Sequence, residues 1–220
     1  MGILEENKSF AVGHLAFGYI SGKASAKILK ANLNIPLVLA LSVIPDVDIL
    51  IPILKHRGPT HSILMASIVF IPIFAIYRKK ATPYFIALIQ HSLIGDYIAG
   101  GRIQLLWPAT SKFYGLELSI KSQTNIIIEW IMFLTSTIIL LKTKDAATLF
   151  QPRYSNLALS IPTFTVLLPA FLSFPLEVPT WLIPPHLAYL FIFLTCIIIN
   201  LSKLLMYNHS QRTHKQKMKK

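Results

Sequence analysis

The sequence holds one cysteine, Cys196, within an apolar run, LFIFLTCIIIN. An intrachain disulfide is excluded, and so is any paired-cysteine zinc ribbon. Cys196 is expected to serve as a small packing residue. Charge is scarce as well. Asp, Glu, Lys and Arg make up 14% of the chain against 54% hydrophobic residues, with a mean hydropathy of +0.58. Soluble domains carry about 25% charged residues, so an ordinary soluble fold is excluded. Acidic residues are the rarest charges, nine against 21 Lys and Arg, which gives a net charge of +12. No aromatic-interleaved basic groove accompanies that charge, and no nucleic-acid partner is expected. The N-terminus, MGILEENKSF, is acidic and its continuation is broken by His14, Gly18 and Gly22. A cleaved signal peptide is therefore not expected. There is no internal repeat.

What the chain does have is apolar length. A helix needs about 20 apolar residues to cross a bilayer core. Segments 36–54, 61–77, 83–98, 125–141, 157–174 and 186–206 approach that length, and 9–22 is a weaker seventh. The fold class expected is all-α, a polytopic transmembrane bundle of six to seven helices. Three parts are expected: residues 1–145 carrying the polar motifs, C-terminal membrane helices over 146–208, and a basic tail over 209–220. With seven crossings and a cytoplasmic tail, fifteen Lys and Arg fall on the inner side and six, counting Lys8, on the outer. Cytoplasmic loops are enriched in Lys and Arg. A multi-pass plasma-membrane protein with a cytoplasmic C-terminus follows, with the lipid bilayer as its partner. Trp107 and Trp181 suit interfacial anchoring.

Ionisable residues inside membrane segments are costly and each needs a reason. On this topology His14, Asp46, Asp48, His56, Arg57, His61, His91, Asp96 and Glu129 all fall at roughly one depth, toward the outer face. Imidazoles with carboxylates suit a divalent metal, Zn or Mn before others, and there are donors enough for two ions. The metal ligands expected are His14, Asp46, Asp48, His56, His61, His91 and Asp96. Arg57, with its planar fork, is expected to meet an anionic substrate or developing charge. Glu129 is expected to act as a base or to support a ligand, unless it pairs with Lys121. Thr60 is read as an N-cap that puts His61 in the first turn of a helix.

Two spacings make demands. Asp46 and Asp48 are two apart and share no helical face, so both reach one site only if the helix breaks near Pro45. His91 and Asp96 are five apart, about 140° round a regular helix. They need a local bulge to meet.

These motifs resemble those of the YdjM-like membrane-bound metal-dependent hydrolases. The residues that carry the resemblance are His14, PDVD at 45–48, HRGPTHS at 56–62, and HSLIGDYIAGGRIQLLWP at 91–108. It covers about residues 10–130. The family pattern has an early His, PDxD, HRGxTHS, a His–Asp pair and LLWP. Its His and Asp are often four apart, where this chain has five. The resemblance implies a polytopic helical membrane protein with metal-dependent hydrolase chemistry and does not settle a substrate. A phosphoester, as in an anionic lipid head group, suits Arg57 and the interfacial depth. The rival reading is a non-catalytic membrane protein that binds or transports divalent ions, disfavoured by the scarcity of acidic residues in the inner helix halves.

Overall fold

The structure, a computed structural model, describes residues 11–172, 176 and 178–217. Lys8, residues 218–220 of the basic tail, and 173–175 and 177 of the proline-rich turn lie outside the described residues. Among those described there is no strand, only the isolated bridges Ala99–Leu118 and Ile103–Tyr114.

Helix α1 (Ala11–Ile28) is the central element and packs against α2 (Ile35–Leu41), α4 (Thr82–Gln90) and α5 (Gln123–Lys142). Its approach to α2 depends on small residues. A Cβ on Gly18 would lie 2.2 Å from Ser42 Cβ, and one on Gly22 would lie 3.0 Å from Val38. Lipid gives helices little hydrophobic reason to associate, so close contact through small residues carries the packing. Around this contact lies the main apolar core, including Leu15 and Tyr19 of α1, Leu39 of α2, and Tyr189, Phe193 and Cys196.

The second predicted span is not one helix. Asn34 caps α2, accepting from the Leu37 N–H at 3.3 Å, with a proline in its first turn. α2 then stops after seven residues. The Ser42 hydroxyl donates back to the Leu39 carbonyl at 2.7 Å, and Pro45 has no N–H to continue the ladder. The chain goes on as a 3₁₀ turn, Ile44–Leu50. A second short 3₁₀ turn, Pro59–His61, leads into α3 (Ile63–Tyr77). Here the expectation for Thr60 is corrected. The N-cap of α3 is Ser62, which accepts from Met65 N–H at 3.3 Å, and His61 precedes the helix.

Among the described residues, three helices are by length and composition able to cross a membrane: α5, α7 (Tyr154–Leu172) and the apolar stretch Thr180–Lys203. The short α6 (Asp145–Leu149) joins α5 to α7, and α8 (Ile183–Lys217) contains most of the third stretch. At 35 residues α8 is about 52 Å long, more than a bilayer core needs. The helices in the other predicted spans are shorter or interrupted, so the expected count of six to seven rests on the sequence alone. Their surfaces are nonetheless apolar and outward. In α3 only Phe70 is buried, while Ile68, Val69, Ile71 and Ile76 are exposed. α5 exposes Ile127, Ile131, Leu134, Ile138 and Leu141 at spacings of three and four. Water would not tolerate such a stripe, whereas acyl chains suit it.

The bundle has two chemically different ends. At one, the 97–122 loop clamps the HRGPTHS turn. Gln104 N–H donates to the Arg57 carbonyl at 3.0 Å, Ile63 N–H to the Leu105 carbonyl at 3.0 Å, and the Ser62 hydroxyl to the Trp107 carbonyl at 2.5 Å. The LLWP and HRGPTHS motifs are thus one physical unit. At the other end Asp145 accepts from Lys23 Nζ and from the Tyr19 hydroxyl. Burial there opposes ionisation of Asp145, but Lys23, Tyr19 and Thr143 outweigh it and hold the carboxyl below its usual range.

Candidate metal centre

Both spacing demands made by the sequence are met by departures from α-helix. α4 does not end at Gln90 but runs into a π-helical turn, His91–Asp96, in which Tyr97 N–H reaches the Ser92 carbonyl five residues back. An i→i+5 turn stacks residues five apart. His91 Nε2 and Asp96 Oδ2 accordingly lie 3.3 Å from each other. In the 3₁₀ turn after Pro45, Asp46 and Asp48 address opposite nitrogens of the same ring. Asp46 Oδ1 is 3.4 Å from His61 Nε2, and Asp48 Oδ2 is 3.3 Å from His61 Nδ1.

Four residues form the centre of the cluster: Asp46, His61, His91 and Asp96, each at most 1% exposed. His61 Nε2 lies 3.1 Å from Asp96 Oδ2, and His91 Nε2 lies 3.3 Å from Asp46 Oδ1. None of the facing atoms has a hydrogen-bond partner: His61 Nε2, His91 Nε2 and all four oxygens of Asp46 and Asp96 are buried and unpaired. Leaving buried polar atoms unpaired costs about 1–3 kcal/mol each, more for charged ones. These contacts of 3.1–3.4 Å lie at or beyond the long end of the usual hydrogen-bond range. They match the donor–donor edge of about 3.3 Å in a tetrahedron with metal bonds of about 2.0–2.1 Å.

The backs of the two rings are fixed in the tautomer such an ion requires. His91 Nδ1 donates to the Ser42 carbonyl at 2.8 Å, which leaves Nε2 as the free lone pair. For His61 the support is a relay. Thr60 Oγ1 donates to Asp48 Oδ2 at 2.5 Å and lies 3.0 Å from His61 Nδ1, whose N–H it accepts. Asp48 Oδ1 also accepts from His56 Nδ1 at 2.9 Å. Both Asp48 oxygens therefore have donors, whereas those of Asp46 and Asp96 have none. Asp48, His56 and His61 form a second group able to hold an ion, sharing His61 with the first.

Charge agrees with the geometry. The cluster holds three buried carboxylates, Asp46, Asp48 and Asp96, and one guanidinium, which leaves two negative charges when the imidazoles are neutral. A dication would balance them where burial makes uncompensated charge expensive. Arg57 supplies the guanidinium from a left-handed backbone, φ +63°. Its Nη2 is 3.6 Å from Asp96 Oδ1, and Nε and Nη2 have no hydrogen-bond partner. Two glycines make room for it. A Cβ on Gly100 would lie 2.3 Å from Nη2, and one on Gly101 would lie 2.7 Å from Nη1.

His14 joins from α1. Its ring stacks on His91 with centroids 3.9 Å apart, and Nε2 lies 3.6 Å from Asp96 Oδ1. Gly95 permits this, since a Cβ there would sit 2.2 Å from His14 Cε1. Eight of the nine sequence-predicted residues are thus brought together. Glu129 is apart from the donor groups. It accepts the Gly13 N–H at 2.6 Å, the partner in place of the Lys121 considered from sequence. Sequence reasoning missed Thr60 as a relay, the Ser42 carbonyl and Gly95. Thr60 sits inside HRGPTHS and was findable as a hydroxyl beside a ligand histidine. The Ser42 carbonyl carries no side-chain signal.

The model of the YdjM inner membrane protein family matches residues 10–201, a range that takes in every residue of this cluster. No curated protein and no solved structure gives a significant match to the chain.

Proposed function

The chain belongs to the YdjM inner membrane protein family, and on that premise we propose that it is a membrane-embedded, metal-dependent hydrolase of phosphoesters. The observation that carries the proposal is the set of unpaired, buried donors on Asp46, His61, His91 and Asp96, spaced 3.1–3.4 Å apart. These four would hold a divalent ion, Zn or Mn by the mixed nitrogen and oxygen donors. Of the remaining predicted ligands, Asp48 and His56 act from behind, because both Asp48 oxygens already accept hydrogen bonds. One ion is favoured over two, since His61 Nδ1 is engaged by Thr60.

When bound, such an ion supplies Lewis acidity, making water acidic near neutral pH and drawing charge from an ester oxygen. The chain's own groups do the rest. Arg57 holds a fixed, desolvated positive charge next to Asp96 and meets the anionic oxygens of a phosphoester. Asp48, through Thr60, keeps the proton of His61 on Nδ1. His14, with its Nδ1 unpaired, is the group placed to take or return a proton at the edge of the cluster. Glu129 holds the start of α1, and with it His14, through the Gly13 N–H.

The protein is placed in the plasma membrane with six to seven crossings, the C-terminus cytoplasmic and the cluster toward the outer face. The basic residues at 23–30, 78–80 and 142–153 support this, because they belong to the bundle end opposite the cluster. The test is turnover by purified protein on phosphomonoester, phosphodiester and glycerophospholipid substrates, before and after metal removal and restoration. Hydrolysis that vanishes on stripping and returns on reloading supports the reading. No turnover across the panel with the ion bound refutes it.

A further inference from the structure

Beside the cluster, between α1, α4 and α5, lies a cavity of about 200 Å³. Most of its wall is apolar, formed by Phe17, Ile94, Ile98, Ile120, Ile128 and Met132, with Asn125 and Glu129 of α5 also lining it. The inner end is polar. His14 lines it, with Nδ1 unpaired, and so does Gln90, whose Oε1 is also buried and unpaired. The outer rim is formed by Ile94, Ile98 and Ile128, which are 38–41% exposed on outward helix faces. In a membrane those faces meet acyl chains, so the cavity opens sideways into the bilayer and closes on the histidine that stacks against His91.

We propose that this cavity receives one acyl chain of a bilayer lipid, entering between α4 and α5, and that the lipid so held is the substrate of the neighbouring site. The second half of that statement rests on the hydrolase reading, and the first half does not. Three observations select an acyl chain. The rim is surrounded by apolar side chains, so what enters comes from the hydrocarbon phase. The volume is below the roughly 300–1,000 Å³ of sites that enclose whole drug-sized ligands, which fits a chain segment whose remainder stays in the membrane. The buried unpaired polar atoms, His14 Nδ1 and Gln90 Oε1, lie at the inner end, where an amphiphile turns from chain to head. A larger hollow of about 300 Å³ against Pro45, Thr60 and Val69 lines no such atom, and it serves as the internal control.

The experiment uses the full chain in nanodiscs containing a phospholipid with a photoactivatable diazirine in one acyl chain, with adducts mapped by mass spectrometry. Adducts are expected at Phe17 and Met132 and should saturate with probe, unlike those on the exposed residues Ile131 and Ile138. Ile128→Trp and, from the opposite wall, Ile94→Trp are each expected to cut the Phe17 and Met132 adducts at least tenfold. Ala66→Trp, in the control hollow, should leave them unchanged. Monodisperse elution and the detergent-unfolding midpoint, measured on the same variants, should stay near the wild-type values and show that each variant is folded. Adducts at Phe17 and Met132 that are no more saturable than those at Ile131, or that persist in both tryptophan variants, overturn the proposal. Saturable adducts without lipid turnover leave chain binding standing and refute the hydrolase reading instead.

Discussion

Thr60→Val replaces a hydroxyl by a methyl at nearly constant shape, and it severs the relay between Asp48 and His61. Two hydrogen bonds are lost, the 2.5 Å donation to Asp48 and the 3.0 Å acceptance from His61 Nδ1. A hydrogen bond to a charged group is worth about 1.5–3 kcal/mol and a neutral one about 1 kcal/mol. Part is recovered, because His61 Nδ1 and Asp48 Oδ2 are 3.3 Å apart and need only a small movement to bond directly. The net expectation is about 1.4–2.8 kcal/mol, or 10–100-fold weaker metal binding, the range typical of losing a group that orients a ligand histidine. Thr60→Ser should recover most of it. The assay is a competition titration of Zn or Mn against a chromophoric chelator in detergent. Affinity within about twofold of wild type in both Thr60→Val and Asp48→Asn would refute the relay. If Asp48→Asn abolished binding as completely as Asp46→Asn, Asp48 would be a ligand in its own right.

The remaining predictions probe other parts of the account. Removing Leu93 closes the π turn to an α turn and sets His91 and Asp96 four apart on one helix face, so metal affinity should stay within about tenfold of wild type, whereas an alanine inserted after Leu93 should lower it by more than about 100-fold in the same titration. Gly95→Ala forces His14 away from a Cβ otherwise 2.2 Å from its ring, which should cost about 1–3 kcal/mol in detergent unfolding and reduce turnover while leaving bound metal unchanged. Asp145→Asn should destabilise the basic end by about 1 kcal/mol at neutral pH, read by hydrogen exchange over 142–149. The folded Asp145 carboxyl lies below its ordinary value of 3.8, so that contribution is full above the ordinary value and is lost as pH falls through the lowered one. The difference between wild type and Asp145→Asn should therefore shrink in acid.

The site was more legible than the fold. His14, PDVD, HRGPTHS and the His91–Asp96 pair were recognisable because ionisable residues at one depth of an apolar chain have few reasons to be there other than one another. The sequence also stated what had to break, at Pro45 and between His91 and Asp96, and both breaks are present. It could not say how. A π turn leaves no composition signal, and a 3₁₀ turn after proline reads like any kink. Glu129 bonds Gly13 N–H, a partner the sequence does not reveal, because depth alone does not separate a side chain aimed at the cluster from one aimed at a backbone amide. Thr before a helix usually caps it, but Ser62, two residues later, takes that role and frees Thr60 for Asp48. The span count was the least legible part. Hydropathy along 36–54 is continuous, but the helix within it is seven residues long, because polar side chains and proline redirect the backbone into the site.

Elemental analysis of the protein purified in detergent tests the central claim most directly. Wild type should carry about one Zn or Mn per chain, and His61→Ala and Asp96→Asn, if still monodisperse, should each carry less than about a tenth of that. A wild type purified and reloaded without any bound divalent ion, or variants that retain the full complement, would contradict the account.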